Sequence, residues 1–243
     1  MVNIFKRLVI STLETKANAL LTDGKVQQAI RLYDKIIKMN GTKAKIYWNK
    51  MVGHITLKEF DKALECIDRL IYLQPDNEDF YCEKASILSS INPKRFEEAI
   101  DCCNLAIEIE NNCAEAYFRK GFALAELHQY DEAESCYNKV IELSMESHRV
   151  YLNKAIIFLK KKMYHEALEL CDKSVKLSCE DKSNLSLAYF TKSRIYASLN
   201  LKNECIEYLD KAIKISNECK DFVSKCEEFE FVKNEKDFIK IMS

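Results

Sequence analysis

Eleven cysteines, four histidines and 38 acidic residues give this chain the raw material for metal or acid–base chemistry, so their spacing decides what they do. His54, His128, His148 and His165 are scattered, and none has a second histidine at metal-binding spacing. His165-Glu166 begins like a zinc-protease helix, but Glu169 stands where the second histidine is required. The cysteine count is odd, and no pair of CxxC motifs occurs. Four glycines in the whole chain leave no phosphate-cradling loop and no dinucleotide fingerprint. The chain is therefore expected to be no enzyme and to hold neither metal nor cofactor.

The cysteines have another explanation. Cys66, Cys102 and Cys136 lie three residues after a recurring alanine, and Cys103 and Cys171 lie four after one. At such positions cysteine acts as a small apolar side chain, packed and reduced. The alanine is itself the strongest pattern in the chain. Ala29, Ala63, Ala99, Ala133 and Ala167, with Cys205 in the sixth place, follow at intervals of 34, 36, 34, 34 and 38 residues. A period in the thirties marks stacked supersecondary units rather than a globular domain around one active site.

Each period splits into two helical halves. The first carries Tyr, then Lys three residues on, then a small residue: Tyr81/Lys84/Ala85, Tyr117/Lys120/Gly121, Tyr151/Lys154/Ala155 and Tyr189/Lys192/Ser193. Tyr47/Lys50/Met51 departs at the small residue, and Leu13/Lys16/Ala17 is a degenerate first copy. Tyr and the small residue are four apart and so share a helix face. The second half begins near Phe60-Asp61, Phe96-Glu97, Tyr130-Asp131 or Tyr164-His165 and runs through the alanine to a β-branched residue. Its apolar spacing describes an amphipathic helix, which buries its stripe only when neighbouring units stack. Asp23-Gly24 and Asn92-Pro93 read as turns inside units, and residues 180–185 as a polar stretch between the fifth and sixth.

Composition agrees with an elongated helical protein. Of 243 residues, 48% are hydrophobic and 31% charged, and only two are proline. So few chain breakers leave little room for the turns of a sheet protein. The net charge of −1 supplies no attraction for nucleic acid or an anionic membrane. No apolar run reaches the roughly 20 residues that span a bilayer, and Leu8–Ile10 is too short for a secretory leader. A cytoplasmic location is expected. Asn40-Gly41-Thr42 and Asn184-Leu185-Ser186 match the glycosylation triplet, a pattern too short to count against it.

At these positions the chain resembles the tetratricopeptide repeat family, whose 34-residue helix–turn–helix unit places an aromatic and a small residue in helix A and an alanine in helix B. Ala133-Tyr137-Val140 and Ala29-Tyr33-Ile36 follow the helix B spacing, and Pro75 takes the terminal proline position. The resemblance implies an all-α, right-handed α-solenoid of six stacked repeats. Their approximate bounds are 10–43, 44–77, 78–113, 114–147, 148–181 and 186–219, all within 1–219. Residues 220–243 form a C-terminal capping segment in this reading, with Asn234 as the N-cap of a last short helix and Asp237 three residues on.

The resemblance also implies protein–protein interaction through a concave groove lined by helix A. The residues after the Tyr and after the small residue give Trp48, Phe118, Leu152 and Phe190 in one column and Phe122 and Ile156 in the other. Phe118, Phe122, Leu152, Ile156 and Phe190 would form an apolar floor in repeats four to six. Arg119 and Asn153 beside it would hold a peptide's carbonyls or carboxylate. Trp48 is either a second anchor or a packed surface residue. The expected partner is another protein, bound as a peptide or helix, with no nucleic acid and no membrane. An RNA-binding helical repeat and a self-associating array are the alternatives.

Two sharper readings divide on charge. Some family members clamp a chaperone's terminal carboxylates with lysines, asparagines and an arginine. Asn18 and Asn49 occupy matching places, but Glu14, Asp79 and Glu83 replace the bases and would repel such a tail. The lysine column (Lys16, Lys50, Lys84, Lys120, Lys154 and Lys192) reads as stems lying along the helix pair, with neighbouring acids balancing the ammonium groups.

Overall fold

In the computed structural model, residues 2–39, 43–91, 95–145, 147–178 and 181–243 are described. Twelve helices follow the predicted halves. They are α1 (Val2–Thr22), α2 (Val26–Lys38), α3 (Ala44–Thr56), α4 (Phe60–Leu73), α5 (Glu78–Ile91) and α6 (Phe96–Ile109). Then come α7 (Ala114–Glu126), α8 (Tyr130–Glu142), α9 (His148–Lys160), α10 (Tyr164–Leu177), α11 (Lys182–Ser198) and α12 (Lys202–Ile215). No strand occurs among the described residues. The fold is an all-α helical-repeat solenoid in which α1 with α2, α3 with α4, α5 with α6, α9 with α10 and α11 with α12 pack as hairpins. The chain divides into two compact units, one ending at His128 and one starting at Gln129.

The period-marking residues are what the stacking buries. Ala29, Ala63, Ala99, Ala133, Ala167 and Cys205 are all buried, as are Ala17, Ala85, Ala155 and Ser193 on the facing helices. Repeat six shows the approach directly, where the Ser193 hydroxyl donates to the Cys205 carbonyl at 2.7 Å. Gly53 does the same for α3. A Cβ there would stand 3.1 Å from Ile30 Cγ1, closer than side chains normally pack.

In the hairpin turns at residues 23–25, 57–59, 161–163 and 199–201, three residues separate the two helices and the form is shared. The middle residue of the three has positive φ, and the residue after it is the N-cap of helix B. Gly24 (φ 74°), Lys58 (57°), Lys162 (61°) and Asn200 (56°) fill this left-handed position. Two backbone bonds close it: Lys58 N–H donates to Ile55 and Glu59 N–H to His54, and Lys162 and Met163 bond Leu159 and Phe158 in the same way. These satisfy carbonyls that the helix end leaves open. The Asn92-Pro93 turn and the Asn40-Gly41-Thr42 triplet lie outside the described residues.

The extra residues before repeat six lengthen a helix rather than a loop. Asp181 caps α11 by accepting from Asn184 N–H at 3.1 Å, so 182–185 form its first turn. The Asn184 side chain, part of the second glycosylation triplet, is bonded to the same aspartate.

Three short segments follow α12: α13 (Cys219–Val223), a 3-10 turn (Glu227–Val232) and α14 (Lys236–Met242). They bury Val223, Phe229, Val232 and Phe238 in one cluster with Phe190, Ala197, Leu209 and Ala212. Helix α14 begins with Glu235 at the N-cap and no side-chain cap bond, so the expected Asn234 cap is displaced by one residue and does not form.

Candidate partner-binding face

In the first unit, Trp48 of α3 is half-buried and its ring lies 6.1 Å from Phe80, tilted at 36°. Phe122 of α7 is 38% exposed and meets the buried Phe96 edge-on at 6.1 Å. Edge-to-face contact holds such a ring without hiding its outer face. Phe118, four residues before it, is only 8% exposed. Arg119 is half-buried, with Nε 2.8 Å from Glu115 and a guanidinium nitrogen 3.9 Å from Glu83. Its charge is thus already matched within the chain, and an incoming carboxylate would have to replace these partners.

In the second unit, Leu152 (7% exposed) and Phe190 (6%) are buried, while Asn153 and Ile156 are half-buried. Phe190 is covered from within the chain by Phe229 at 5.8 Å and Phe222 at 6.1 Å. The column spacing placed Phe190 on the face but carried no sign of the residues that cover it. Of the eight candidates, Trp48, Arg119, Phe122, Asn153 and Ile156 retain accessible surface. An apolar strip that the spacing did not single out lies on α1, where Ile4, Phe5 and Leu8 are exposed.

The lysine column acts as a set of staples between neighbouring repeats. Lys50 meets Asp34 and Lys84 meets Asp68, each at 2.7 Å. Lys120 donates to Asn104 at 2.7 Å, Lys154 donates to Asn138, and Lys192 meets Asp172 at 2.6 Å. Each acceptor lies five residues after the period-marking alanine of the preceding repeat, a register visible in the sequence once the lysine partners are known. Burial opposes the charge on Lys50, Lys84 and Lys192 most strongly, yet the hydrogen bonds and charges of their aspartates and neighbours, with the Tyr208 hydroxyl at Lys192, together outweigh it and lift each above the usual lysine value. Lys154 has a neutral partner. Burial pulls its pKa down, and nearby Lys173 and Lys161 add to the effect against the pull of Glu134.

The clamp positions are occupied by structure. Asn18 Oδ1 accepts from the Tyr33 hydroxyl at 2.8 Å and from Asn49 Nδ2 at 2.9 Å, while Glu14 lies 3.5 Å from Lys45. Among the described residues no cluster of His, Cys, Asp and Glu could hold a metal ion. Burial pushes the Cys66 thiol up to about 11 and Cys171 to about 12, which suits packed rather than reactive sulfur.

Residues 13–180 match the family described as the tetratricopeptide repeat protein 21 C-terminal ARM domain, and 187–219 match a tetratricopeptide repeat. The chain belongs to this tetratricopeptide repeat family. Solved tetratricopeptide proteins share its fold. The pilF protein of Pseudomonas aeruginosa is 16% identical, with a TM-score of 0.66 over 90% of this chain and 99% of that one. YrrB, described as a TPR protein with an unusual peptide-binding site, is 22% identical, with a TM-score of 0.57 over 74% and 90%. The Cut9–Hcn1 structure of the APC/C is 14% identical, with a TM-score of 0.71 over 90% of this chain and 43% of that one. No helix among the described residues is long and apolar enough to cross a membrane.

Proposed function

We propose that this tetratricopeptide-repeat chain is a non-catalytic scaffold or adaptor that binds a peptide or helical segment of another protein on its helix A face. Phe122 carries the reading. It is a large aromatic that stays exposed on a helix A whose other apolar columns are buried, and its ring is fixed by Phe96. Rigid, accessible aromatics are the side chains that anchor protein interfaces. Trp48 and Arg119, in the same unit as Phe122, supply further contacts, with Phe118 as a packed support. The peptide-binding site named for YrrB supports the same use of the fold.

The test is affinity capture with the wild type and with Phe122→Glu, after checking that helix content and melting temperature are unchanged. A protein retained by the wild type and lost by the variant supports the assignment. Equal capture by both removes Phe122 and, with it, the reading of this face. Concentration-dependent mass by light scattering without a captured partner would replace it with self-association, and salt-sensitive retention of single-stranded RNA would replace it with the RNA alternative.

A further inference from the structure

We propose that Cys82 and Cys113 form a reversible dithiol–disulfide site that staples helix A of repeat three to the start of helix A of repeat four. Their sulfurs are 3.7 Å apart, across the contact between α5 and α7. A disulfide requires about 2.05 Å, so the sulfurs must close by about 1.7 Å. Cys113 can supply that movement. It is the N-cap of α7, makes no side-chain cap bond, and follows a turn closed by its own N–H on Glu110 at 3.0 Å. Rotating its side chain costs no cap.

Exposure sets the order of events. Cys113 is half-exposed, whereas Cys82 is 3% exposed and its thiol is held protonated by burial, with Cys113 and Cys103 adding to the effect. A small disulfide oxidant such as oxidised glutathione therefore meets Cys113 first. The Cys113 thiolate attacks one glutathione sulfur, forms a mixed disulfide and releases one glutathione thiolate. Cys82 then gives its proton to solvent and attacks Cys113 Sγ, expelling the second glutathione. Two protein thiols are oxidised, one glutathione disulfide is reduced, and the chain loses two hydrogens.

The new bond closes a loop of 31 residues between adjacent repeats, so it restricts the unfolded chain and raises stability. It also fixes Cys82 beside Glu83, the partner of Arg119, so oxidation acts next to the polar part of the helix A face. The site itself is independent of what that face binds.

The test exposes the full chain to buffers of increasing oxidised-to-reduced glutathione ratio, then blocks free thiols and maps peptides by mass spectrometry. The expected result is a Cys82–Cys113 crosslink that grows with the ratio and is reversed by dithiothreitol. Alongside it the melting temperature should rise by about 5–10 °C. Cys113→Ser should remove both changes while folding normally. Cys82→Ala should leave Cys113 as a persistent glutathione adduct. A persistent adduct on Cys113 in the wild type, or oxidation confined to other cysteines, would overturn the proposal, because either shows that the pair cannot close.

Discussion

Lys154 of α9 donates to the side-chain carbonyl of Asn138 in α8, where Lys192 of the next repeat meets the Asp172 carboxylate. The two lysines sit in the same column, yet burial wins at Lys154 and lowers its pKa, while at the more deeply buried Lys192 the Asp172 carboxylate and the Tyr208 hydroxyl together win and raise it. The neutral amide of Asn138 in place of a carboxylate is one part of the difference, and the like charges of Lys173 and Lys161 beside Lys154 are another. Asn138→Asp should therefore supply the missing counter-charge and stabilise the fold by about 0.5–1 kcal/mol. The paired form raises the folded pKa of Lys154, so the gain is present below the unfolded lysine value and fades as pH rises through the new folded one. Urea unfolding of the variant and wild type at neutral pH and at high pH checks both parts. No gain at neutral pH would mean that Glu134, one turn before, cancels the new pair.

Lys58 and Lys162 hold a left-handed backbone that costs an L-residue about 1–2 kcal/mol. Both are exposed, so nothing but backbone is at stake. Lys162→Gly should gain about 0.5–1 kcal/mol after allowing for glycine's extra freedom in the unfolded chain. Gly24→Ala is the converse experiment. A Cβ at Gly24 meets nothing within 4 Å, so its cost should come from φ alone and be about 1 kcal/mol. Thermal melts of the two variants should move in opposite directions. Movement in the same direction would show that packing, not the turn, dominates.

The hairpins were legible because the residues that let two helices approach recur in register, and a buried column tolerates few alternatives. The turn geometry was not legible at Lys58 or Lys162, since lysine has no preference for the left-handed region and the position is imposed by the three-residue connection. The staples were half legible: the lysines stood out, but their acceptors mix Asp34 and Asp68 with Asn104 and Asn138, which blurs a charge pattern. Exposure along helix A was the least legible feature. Whether Phe118, Leu152 or Phe190 reaches solvent depends on what packs over it, and for Phe190 that is a segment whose aromatics belong to no repeat.

Glu228 joins that segment to α11 through Arg194, at 2.7 Å. Burial favours the protonated carboxyl, but the Arg194 hydrogen bond and the backbone outweigh it, and the pKa lies below the usual glutamate value of 4.5. Glu59 is likewise lowered, by hydrogen bonds from His54 and Lys62. A depressed folded pKa means stability that is complete above the unfolded value and lost as pH falls through the folded one. Glu228→Gln should cost about 1–2 kcal/mol at neutral pH and then flatten the acid limb below about pH 4.5. Melting curves taken from neutral pH down to about pH 3 test this. Parallel limbs for variant and wild type would remove Glu228 from the acid response.

Phe229 is fully buried between Phe190 and Phe238, with ring centroids 5.8 and 6.4 Å away. Phe229→Ala should cost about 3–5 kcal/mol, taken from the second unit, and should speed proteolysis within 220–243 while the repeat helices persist. Phe190→Ala removes the other side of the same contact, so the double variant should lose less than the sum of the two. The pair also decides what Phe190 does. As a support for the C-terminal segment, it should affect partner capture only as far as Phe229→Ala does, through loosening of that segment. As a direct contact, it should lower capture when Phe229→Ala leaves capture intact. Comparing stability and capture across the three variants separates a ring that holds the fold from one that touches the partner.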